Sequence, residues 1–132
     1  MNCPRVFCVC VILIGLSSAL GCSEGQKLVA ITVSPQNLTI TGAGGVVPFV
    51  AYGTYTHPPE SKDITRSVTW SSSFPQAISI DPATGVATTG SGCGVNIIIT
   101  AALYSKPANP SSGTVAVGTS TVNVKQGGLT CQ

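Results

Sequence analysis

Charged residues are scarce in this chain of 132 residues: they make up 8% of it, with six Lys and Arg against four Asp and Glu. A nucleic-acid surface needs Lys and Arg clustered on one face, which this composition does not provide. Calcium sites need several clustered oxygen ligands, and glycosidases need paired carboxylates. The acids are scattered, so neither is expected; they are Glu24, Glu60, Asp63 and Asp81.

Aromatic residues and histidine are also few: three Phe, three Tyr, one Trp and one His. Few rings leave few platforms on which bases or sugars stack. As a general base, His57 would need an activated nucleophile and an orienting acid. Its neighbours Ser61 and Asp63 lie on the same polar loop, and three loop neighbours rarely form a triad, so a solvated histidine is favoured. The sequence predicts no catalytic, cofactor-binding or metal-binding residue, no small-molecule substrate, and no enzyme.

The segment 1–21 has the composition of a signal peptide. Arg5 supplies a positive charge, an apolar run extends to Leu20, and small residues lie near its end. The run is shorter than the ~20 residues of a permanent membrane-spanning helix, which predicts cleavage.

The end of this segment, Ala19-Leu20-Gly21-Cys22, resembles a bacterial lipobox, in which a small residue precedes a cysteine that is lipidated and becomes the new N-terminus. The alternative is an ordinary secretory signal, which leaves Cys22 as a free or oxidised thiol. Lipidation, with palmitate among the acyl chains, is favoured; each buried CH₂ contributes ~0.8 kcal/mol to membrane binding. The resemblance favours the outer membrane, because Ser23 replaces the Asp that retains enterobacterial-type lipoproteins at the inner membrane.

Export leaves two cysteines to pair, because Cys22 takes the lipid and three others leave with the signal: Cys3, Cys8 and Cys10. Cys93 and Cys131 remain in an oxidising compartment. They flank the last two predicted strands, whose antiparallel pairing would bring the two cysteines to one end of the fold. The sequence therefore predicts a Cys93–Cys131 disulfide. A redox-active or metal-binding pair is disfavoured, because no His or second thiol lies nearby.

After Cys22, apolar residues alternate with polar ones, and the spacing typical of helices is missing. About seven segments alternate between clusters of Gly, Pro and Ser; they are 28–34, 48–56, 68–70, 78–80, 86–89, 95–104 and 115–124. Pro35 cannot donate to a ladder and ends the first segment. The change of parity between Val117 and Val122 predicts a bulge near Gly118. The pattern predicts an all-β, antiparallel immunoglobulin-like sandwich of about seven strands.

Trp70 lies in one of these segments, between Thr69 and Ser71. The alternation turns the indole inward, so we expect a core anchor rather than a sugar platform. Asp63 and Asp81 lie beside turns, where we expect their carboxylates to accept hydrogen bonds from nearby backbone N–H groups.

Six segments of the chain form a characteristic series: Leu28-Val-Ala-Ile-Thr-Val-Ser-Pro, Phe49-Val-Ala-Tyr-Gly-Thr-Tyr, Asp63-Ile-Thr-Arg-Ser-Val-Thr-Trp-Ser-Ser-Ser, Ile78-Ser-Ile-Asp-Pro-Ala-Thr-Gly-Val-Ala, Ile99-Thr-Ala and Val122-Asn-Val. In this order they resemble the bacterial Ig-like domain, group 2. The resemblance covers residues 28–125. It implies a sandwich of the kind found in bacterial surface and envelope proteins, including intimin- and invasin-like adhesins, without catalytic residues. A single copy argues against the rod-like spacer role of tandem copies.

The predicted organisation is a lipoprotein-type signal peptide at 1–21, a tether at 22–27, the Ig-like domain at 28–125 and a disulfide-tied tail at 126–132. We expect a non-catalytic cell-envelope lipoprotein whose module mediates protein or glycan contact, as in adhesion. The alternative is a purely structural accessory subunit of a larger envelope complex with no ligand of its own. The expected partners are the membrane and an envelope protein or glycan, and not nucleic acid. Without lipidation, the protein would be periplasmic or secreted.

Overall fold

The computed structural model describes residues 25–104, 113–128 and 131, and within these residues all the regular structure is β-strand. The predicted signal peptide and Cys22 lie outside the described residues. The strands are β1 Lys27–Ser34, β2 Leu38–Thr41, β3 Val46–Pro48, β4 Val50–Thr56, β5 Glu60–Asp63, β6 Thr69–Ser72, β7 Ile78–Ile80, β8 Val86–Thr89, β9 Gly94–Tyr104 and β10 Thr114–Lys125.

These strands form three sheets, with the orders β1-β4-β5, β2-β10-β9-β6 and β3-β8-β7. Neighbouring strands are antiparallel, except that β2 runs parallel to β10. The all-β class is therefore confirmed. β9 and β10 pair antiparallel, as the sequence predicts for the last two strands.

The described residues form ten strands, where the sequence predicts about seven. β1 matches the first predicted segment, and β2 is an additional strand after Pro35. The second predicted segment begins earlier and divides at Phe49 into β3 and β4. β5 falls in the segment 57–63, for which a polar loop is expected. All four of its residues are exposed, so it carries no apolar alternation by which a strand would be recognised.

The corner at Pro35 moves the chain from β1, which pairs with β4, to β2, which pairs with β10. The side-chain amide of Gln36 donates to the carbonyls of Val33 at 2.7 Å and Thr119 at 2.9 Å. The hydroxyl of Ser120, a residue 1% exposed, donates to the carbonyl of Pro35 at 2.5 Å. Side chains thus satisfy carbonyls where the ladder changes partner.

The predicted bulge near Gly118 is wrong. β10 pairs with β9 without a shift from Val117 to Val122, and the irregularities lie between Thr114 and Ala116 and between Val122 and Val124. Val117 points outward, and Gly118 takes the inward position. A Cβ on Gly118 would lie 2.6 Å from the carbonyl oxygen of Ile31, so β1 crosses β10 too closely for a larger residue there.

A hydrophobic cluster draws on all three sheets and holds the fold together. Trp70, 2% exposed, lies in it, with its ring centroid 6.3 Å from that of Phe49. The indole N–H donates to the carbonyl of Thr65 at 3.0 Å, so its polar atom is satisfied. The buried apolar members are Ile31, Val33, Phe49, Ala51, Ile64, Val68, Trp70, Ala77, Ile78, Ala87, Ile97, Ile99, Ala101, Val122 and Val124.

Candidate contact surface

A disulfide joins Cys93, which precedes β9, to Cys131, which follows β10, with the two Cα atoms 5.3 Å apart. The same end of the fold holds the turn after β2, because the N–H of Gly42 donates to the carbonyl of Lys125 at 2.9 Å. The side-chain amide of Gln126 donates to the carbonyl of Gly90 at 2.9 Å. The cysteines therefore tie the C-terminal residues to the loop that precedes β9.

The acidic side chains serve the turns. Asp81 accepts hydrogen bonds from the Thr84 hydroxyl at 2.8 Å, the Thr84 N–H at 2.7 Å and the Ala83 N–H at 3.0 Å. These donors, the Thr84 hydroxyl first, hold the pKa of Asp81 below its ordinary value. Asp63 accepts from the N–H of Thr65 at 2.9 Å, and its pKa is lowered by the Thr65 side chain and then by this N–H. The expectation that both carboxylates bond backbone N–H groups is confirmed.

An exposed polar network joins the start of β1 to β5. The amide of Gln26 donates to Glu60 at 2.8 Å, and Lys62 donates to the Gln26 carbonyl oxygen at 2.7 Å and lies 3.1 Å from Glu60. The hydrogen bond from Gln26, followed by that from Lys62, lowers the pKa of Glu60. Exposed pairs of this kind contribute little to stability.

The structure does not assemble a catalytic set around His57. This residue is exposed between β4 and β5, with a φ of 61°. Asp63 is at the far end of β5 and bonds Thr65; three residue steps along a strand place it ~10 Å beyond Glu60. Among the described residues, no group of three or more His, Cys, Asp or Glu side chains is placed to hold a metal ion.

An open depression of about 380 Å³ lies beside the turn that follows β5. Arg66 makes no hydrogen bond or ion pair with the described residues, so its guanidinium is available at this rim. Phe49 lies at the base but is only 1% exposed, so it offers no stacking surface. The lining residues are Pro48, Phe49, Val50, Asp63, Thr65, Arg66, Ser67 and Thr84. This set has no imidazole, the usual general base beside an activated hydroxyl, and no thiol that could serve as the nucleophile instead.

The four-stranded sheet has an outward surface, which we term the hydroxyl face. Two rows of paired residues cross its centre, each running from β6 through β9 to β10. One row is Ser71, Thr100 and Thr119, and the other is Thr69, Ala102 and Val117. Val117 is 51% exposed and Ile98, paired with Thr121, is 46% exposed. The hydroxyl face comprises Thr39, Thr41, Thr69, Ser71, Ile98, Thr100, Ala102, Val117, Thr119 and Thr121.

One charged residue of the described chain lies on this side of the sheet: Lys125, at the end of β10, is exposed and paired with Thr41. The charged residues of the described chain lie on β1, on β5, in turns, or at the end of β10; they are Lys27, Glu60, Lys62, Asp63, Arg66, Asp81 and Lys125. The amino-acid sequence alone does not predict this face. Its only local signal is the pattern Thr-x-Thr at 39–41 and 119–121, and the sheet order is needed to show that both pairs point to one side.

Comparison with protein-family models finds no match for this chain, and a search of curated proteins finds none either. None of the described residues belongs to a helix with the length and apolar character needed to cross a membrane.

Proposed function

We propose that the strands form an immunoglobulin-like sandwich of two layers, in keeping with the resemblance to the bacterial Ig-like domain, group 2. β3 and β4 continue one another on either side of Phe49, whose N–H donates to the carbonyl of Gly85 at 2.8 Å. The sheets β1-β4-β5 and β3-β8-β7 then form one layer, opposite the layer β2-β10-β9-β6. Core side chains from all three sheets, which meet in the hydrophobic cluster, support this arrangement.

We propose that the protein is a non-catalytic module of the bacterial cell envelope, lipid-anchored through Cys22, that binds another protein through its hydroxyl face. The observation that carries this proposal is an outward sheet surface of hydroxyl and aliphatic side chains on which Lys125, at one end, is the charged residue among those described. Small hydroxyl and aliphatic side chains lose little conformational entropy when they are covered. The carboxylates of Asp63 and Asp81, by contrast, already hold turns together.

A protein partner is favoured over a glycan because of the kinds of exposed side chain. The large exposed hydrophobic residues of the described chain are Val29, Val46, Tyr52, Phe74, Val86, Val95, Ile98 and Val117. Two of these are aromatic, Tyr52 on β4 and Phe74 after β6, and they belong to different parts of the fold. Sugar sites depend on rings that stack, and the ring that alternation places on this side of the sheet, Tyr104 at the end of β9, is only partly exposed.

A lipid on Cys22 would orient this face. The start of β1 lies beside β5, at the end of the fold opposite the disulfide. Residues 23–27 span at most ~17 Å, so the β5 end would lie near the membrane and the disulfide end would point away. β9 and β10 run between these two ends, so the hydroxyl face would lie perpendicular to the membrane plane. It would then face proteins anchored beside this one.

Photo-cross-linking in intact cells tests the proposal. A cross-linking residue in place of Thr119 is expected to yield a protein adduct, and one in place of Thr88, an exposed threonine on β8, is expected to yield none. The absence of an adduct at Thr119 would contradict a protein partner on this face. A stoichiometric envelope protein at the site would favour the structural accessory role, whereas a protein from another cell would favour adhesion.

Intact mass of the purified protein tests the anchor. A mass that shows cleavage before Cys22 together with added acyl chains is expected. A cleaved, unmodified chain would remove the lipid from the proposal and leave a periplasmic or secreted module.

A further inference from the structure

We propose that the open depression beside the turn after β5 is a binding site for the free carboxylate at the end of a peptide. The residues that line it come from β3, β4, β5 and the turns that follow β5 and precede β8. None of them belongs to the four-stranded sheet that carries the hydroxyl face. The site is therefore separate from that surface, and the two can be tested independently.

The backbone beside Arg66 is firmly held. The N–H of the preceding residue, Thr65, donates to Asp63 at 2.9 Å. The hydroxyl of Thr65 accepts from the N–H of Ala51 at 3.0 Å, and its carbonyl accepts from the indole of Trp70 at 3.0 Å. These bonds join the turn to β4, β5 and β6, so the position of the Arg66 backbone is set before any ligand arrives.

The opposite wall of the depression is held in the same way. Thr84 belongs to the turn before β8, where its hydroxyl and its N–H donate to Asp81 at 2.8 Å and 2.7 Å. The carbonyl of the next residue, Gly85, accepts from the N–H of Phe49 at the base, at 2.8 Å. Hydrogen bonds of the fold itself therefore hold both walls, and a preformed site loses little entropy when it binds a ligand.

Two donors at the depression have no hydrogen-bond partner among the described residues: the Arg66 guanidinium and the Ser67 hydroxyl. Both side chains are exposed, whereas the hydroxyl of Thr84 already donates to Asp81. A guanidinium presents its N–H groups as a fork that fits a carboxylate or a phosphate, and a neighbouring hydroxyl can add a third hydrogen bond. The free donors therefore indicate an oxyanion ligand.

The charges around the depression favour a carboxylate over a phosphate. Asp63 lines it and Asp81 lies behind Thr84, so a ligand on Arg66 approaches two acids. Hydrogen bonds, first those of the Thr65 and Thr84 side chains, hold the pKa values of these acids low, so both are ionised at neutral pH. A phosphate group carries ~1.5–2 negative charges at pH 7 and a carboxylate carries one, so the carboxylate is repelled less.

The walls and the open side favour the end of a peptide over a small free acid. Pro48 and Val50 line the depression from β3 and β4 and offer apolar surface to a side chain next to the carboxylate. Asp63 retains acceptor capacity beyond its bond with Thr65, so a peptide N–H can donate to it. The volume of about 380 Å³ is near the lower end of ligand sites, which suits the end of a chain rather than a folded partner.

NMR titration of the isotope-labelled protein, purified in detergent from a bacterial host that expresses the full chain, tests the site. The probe is N-acetyl-alanyl-alanine with a free carboxylate, and the reference is the same dipeptide with a C-terminal amide. We expect chemical-shift changes at Arg66 and Ser67 with the acid and none with the amide. Because few contacts are made, the expected dissociation constant is on the order of millimolar. Equal changes with the acid and the amide, or no change with either, would overturn the proposal.

Substitutions at Arg66 provide the matched comparison. Arg66→Gln is expected to raise the dissociation constant at least ~10-fold, because the charged fork is lost. Arg66→Lys keeps the charge without the fork and is expected to bind the acid more weakly than the unchanged protein. Lys125→Gln removes an exposed positive charge at the end of β10 and is expected to have no effect. Equal effects of Arg66→Gln and Lys125→Gln would contradict a site at this turn.

Acetate and inorganic phosphate distinguish the source of the oxyanion. Acetate is expected to bind at Arg66 more weakly than the dipeptide acid, because it has no side chain to pack on Pro48 and Val50. Either anion binding as tightly as the dipeptide acid would overturn the choice of a peptide carboxylate. A negative titration leaves the cross-linking prediction at Thr119 unchanged, and a missing adduct at Thr119 leaves this site unchanged, because the two lie on different sheets.

Discussion

At the scale of single residues, the packing of Trp70 depends on the absence of a side chain at Gly85. A Cβ there would lie 2.8 Å from both the indole ring and the carbonyl oxygen of Phe49, and the backbone of Gly85 has a φ of 73°. The turn before β8 must therefore pass directly beneath the ring. Glycine meets both demands, because it alone tolerates this φ at little cost and adds no atom to the contact.

Gly85→Ala is expected to destabilise the fold by about 2–4 kcal/mol, the sum of strain at positive φ and overpacking against Trp70. Gly44→Ala is the control, since Gly44 has a similar φ of 78° but a Cβ would find nothing within 4 Å. Its expected cost is about 1 kcal/mol. Urea unfolding followed by tryptophan fluorescence measures both; equal losses would show that the ring does not press on this turn.

The hydrogen bonds to Asp81 predict a dependence of stability on pH. Its pKa is lower in the folded protein than in the unfolded chain. At pH values between these two pKa values the unfolded chain binds more protons than the folded protein. The contribution of Asp81 to the free energy of unfolding is therefore complete above pH ~3.9, the pKa in the unfolded chain, and is lost as the pH falls through the pKa in the folded protein.

Asp81→Asn cannot titrate, so it is expected to lose less stability than the unchanged protein between pH 7 and pH 3. Urea midpoints at the two pH values measure the difference. Asp63 and Glu60 titrate in both proteins and their pKa values are also lowered, so some acid sensitivity persists in the variant. Identical losses in both proteins would contradict a role for Asp81.

At the scale of strands, the corner between β1 and β2 depends on a buried hydroxyl. Ser120 occupies an inward position of β10 and donates to the carbonyl of Pro35, which links β10 to the point where the chain changes sheets. An apolar residue at position 120 would leave that carbonyl without this partner.

Ser120→Ala is expected to cost about 1–3 kcal/mol, the penalty for an unsatisfied buried polar group. Ser34→Ala, an exposed serine at the end of β1, is expected to stay within about 0.5 kcal/mol of the unchanged protein. Chemical denaturation of both variants provides the comparison. A cost at Ser120 no greater than that at Ser34 would refute the role of this hydrogen bond.

The inward residues of β10, Ser120 among them, explain why the bulge predicted from the sequence is absent. Alternation correctly located the segments that became β1, β4, β6, β7, β8 and β9, because their inward residues are apolar. On β10 the inward sites Gly118 and Ser120 are small or polar, since β1 crosses there, and the apolar Val117 points outward. Reading Val117 as inward produced the predicted bulge. β5 was missed because both of its sides are exposed, so only pairing with β4 identifies it.

At the scale of the whole molecule, the disulfide closes a large part of the chain. Cys93 and Cys131 are separated by 38 positions, and this loop contains β9 and β10. The two strands form the centre of the four-stranded sheet, so constraining them in the unfolded chain is expected to matter for the entire fold.

Replacing both cysteines by serine is expected to lower stability by about 4 kcal/mol on the chain-entropy model of a loop of this length. Urea unfolding of the double variant, compared with the reduced and oxidised forms of the unchanged protein, measures the effect. The reduced form is expected to match the variant. A loss below ~1 kcal/mol would show that the bond fastens only the residues after β10.

The hydroxyl face was beyond reach of the sequence because it is a property of sheet order. Alternation shows that Thr119 and Thr121 share one side of β10, and that Thr39 and Thr41 share one side of β2. It does not show that β2 lies parallel to β10, since that pairing follows from the corner at Pro35. The disulfide, in contrast, was predictable, because an antiparallel pair of strands brings the start of one near the end of the other.

The parallel pairing of β2 with β10 determines how the protein responds to tension. A pull between an N-terminal anchor and the C-terminal end draws these two strands in opposite directions along their length. Every bridge between them, from Leu38 opposite Val122 to Thr41 opposite Lys125, is then loaded in shear at once rather than peeled one by one. Rupture would require these bridges to break together, so β2 and β10 would resist such a pull more strongly than strands that separate bridge by bridge.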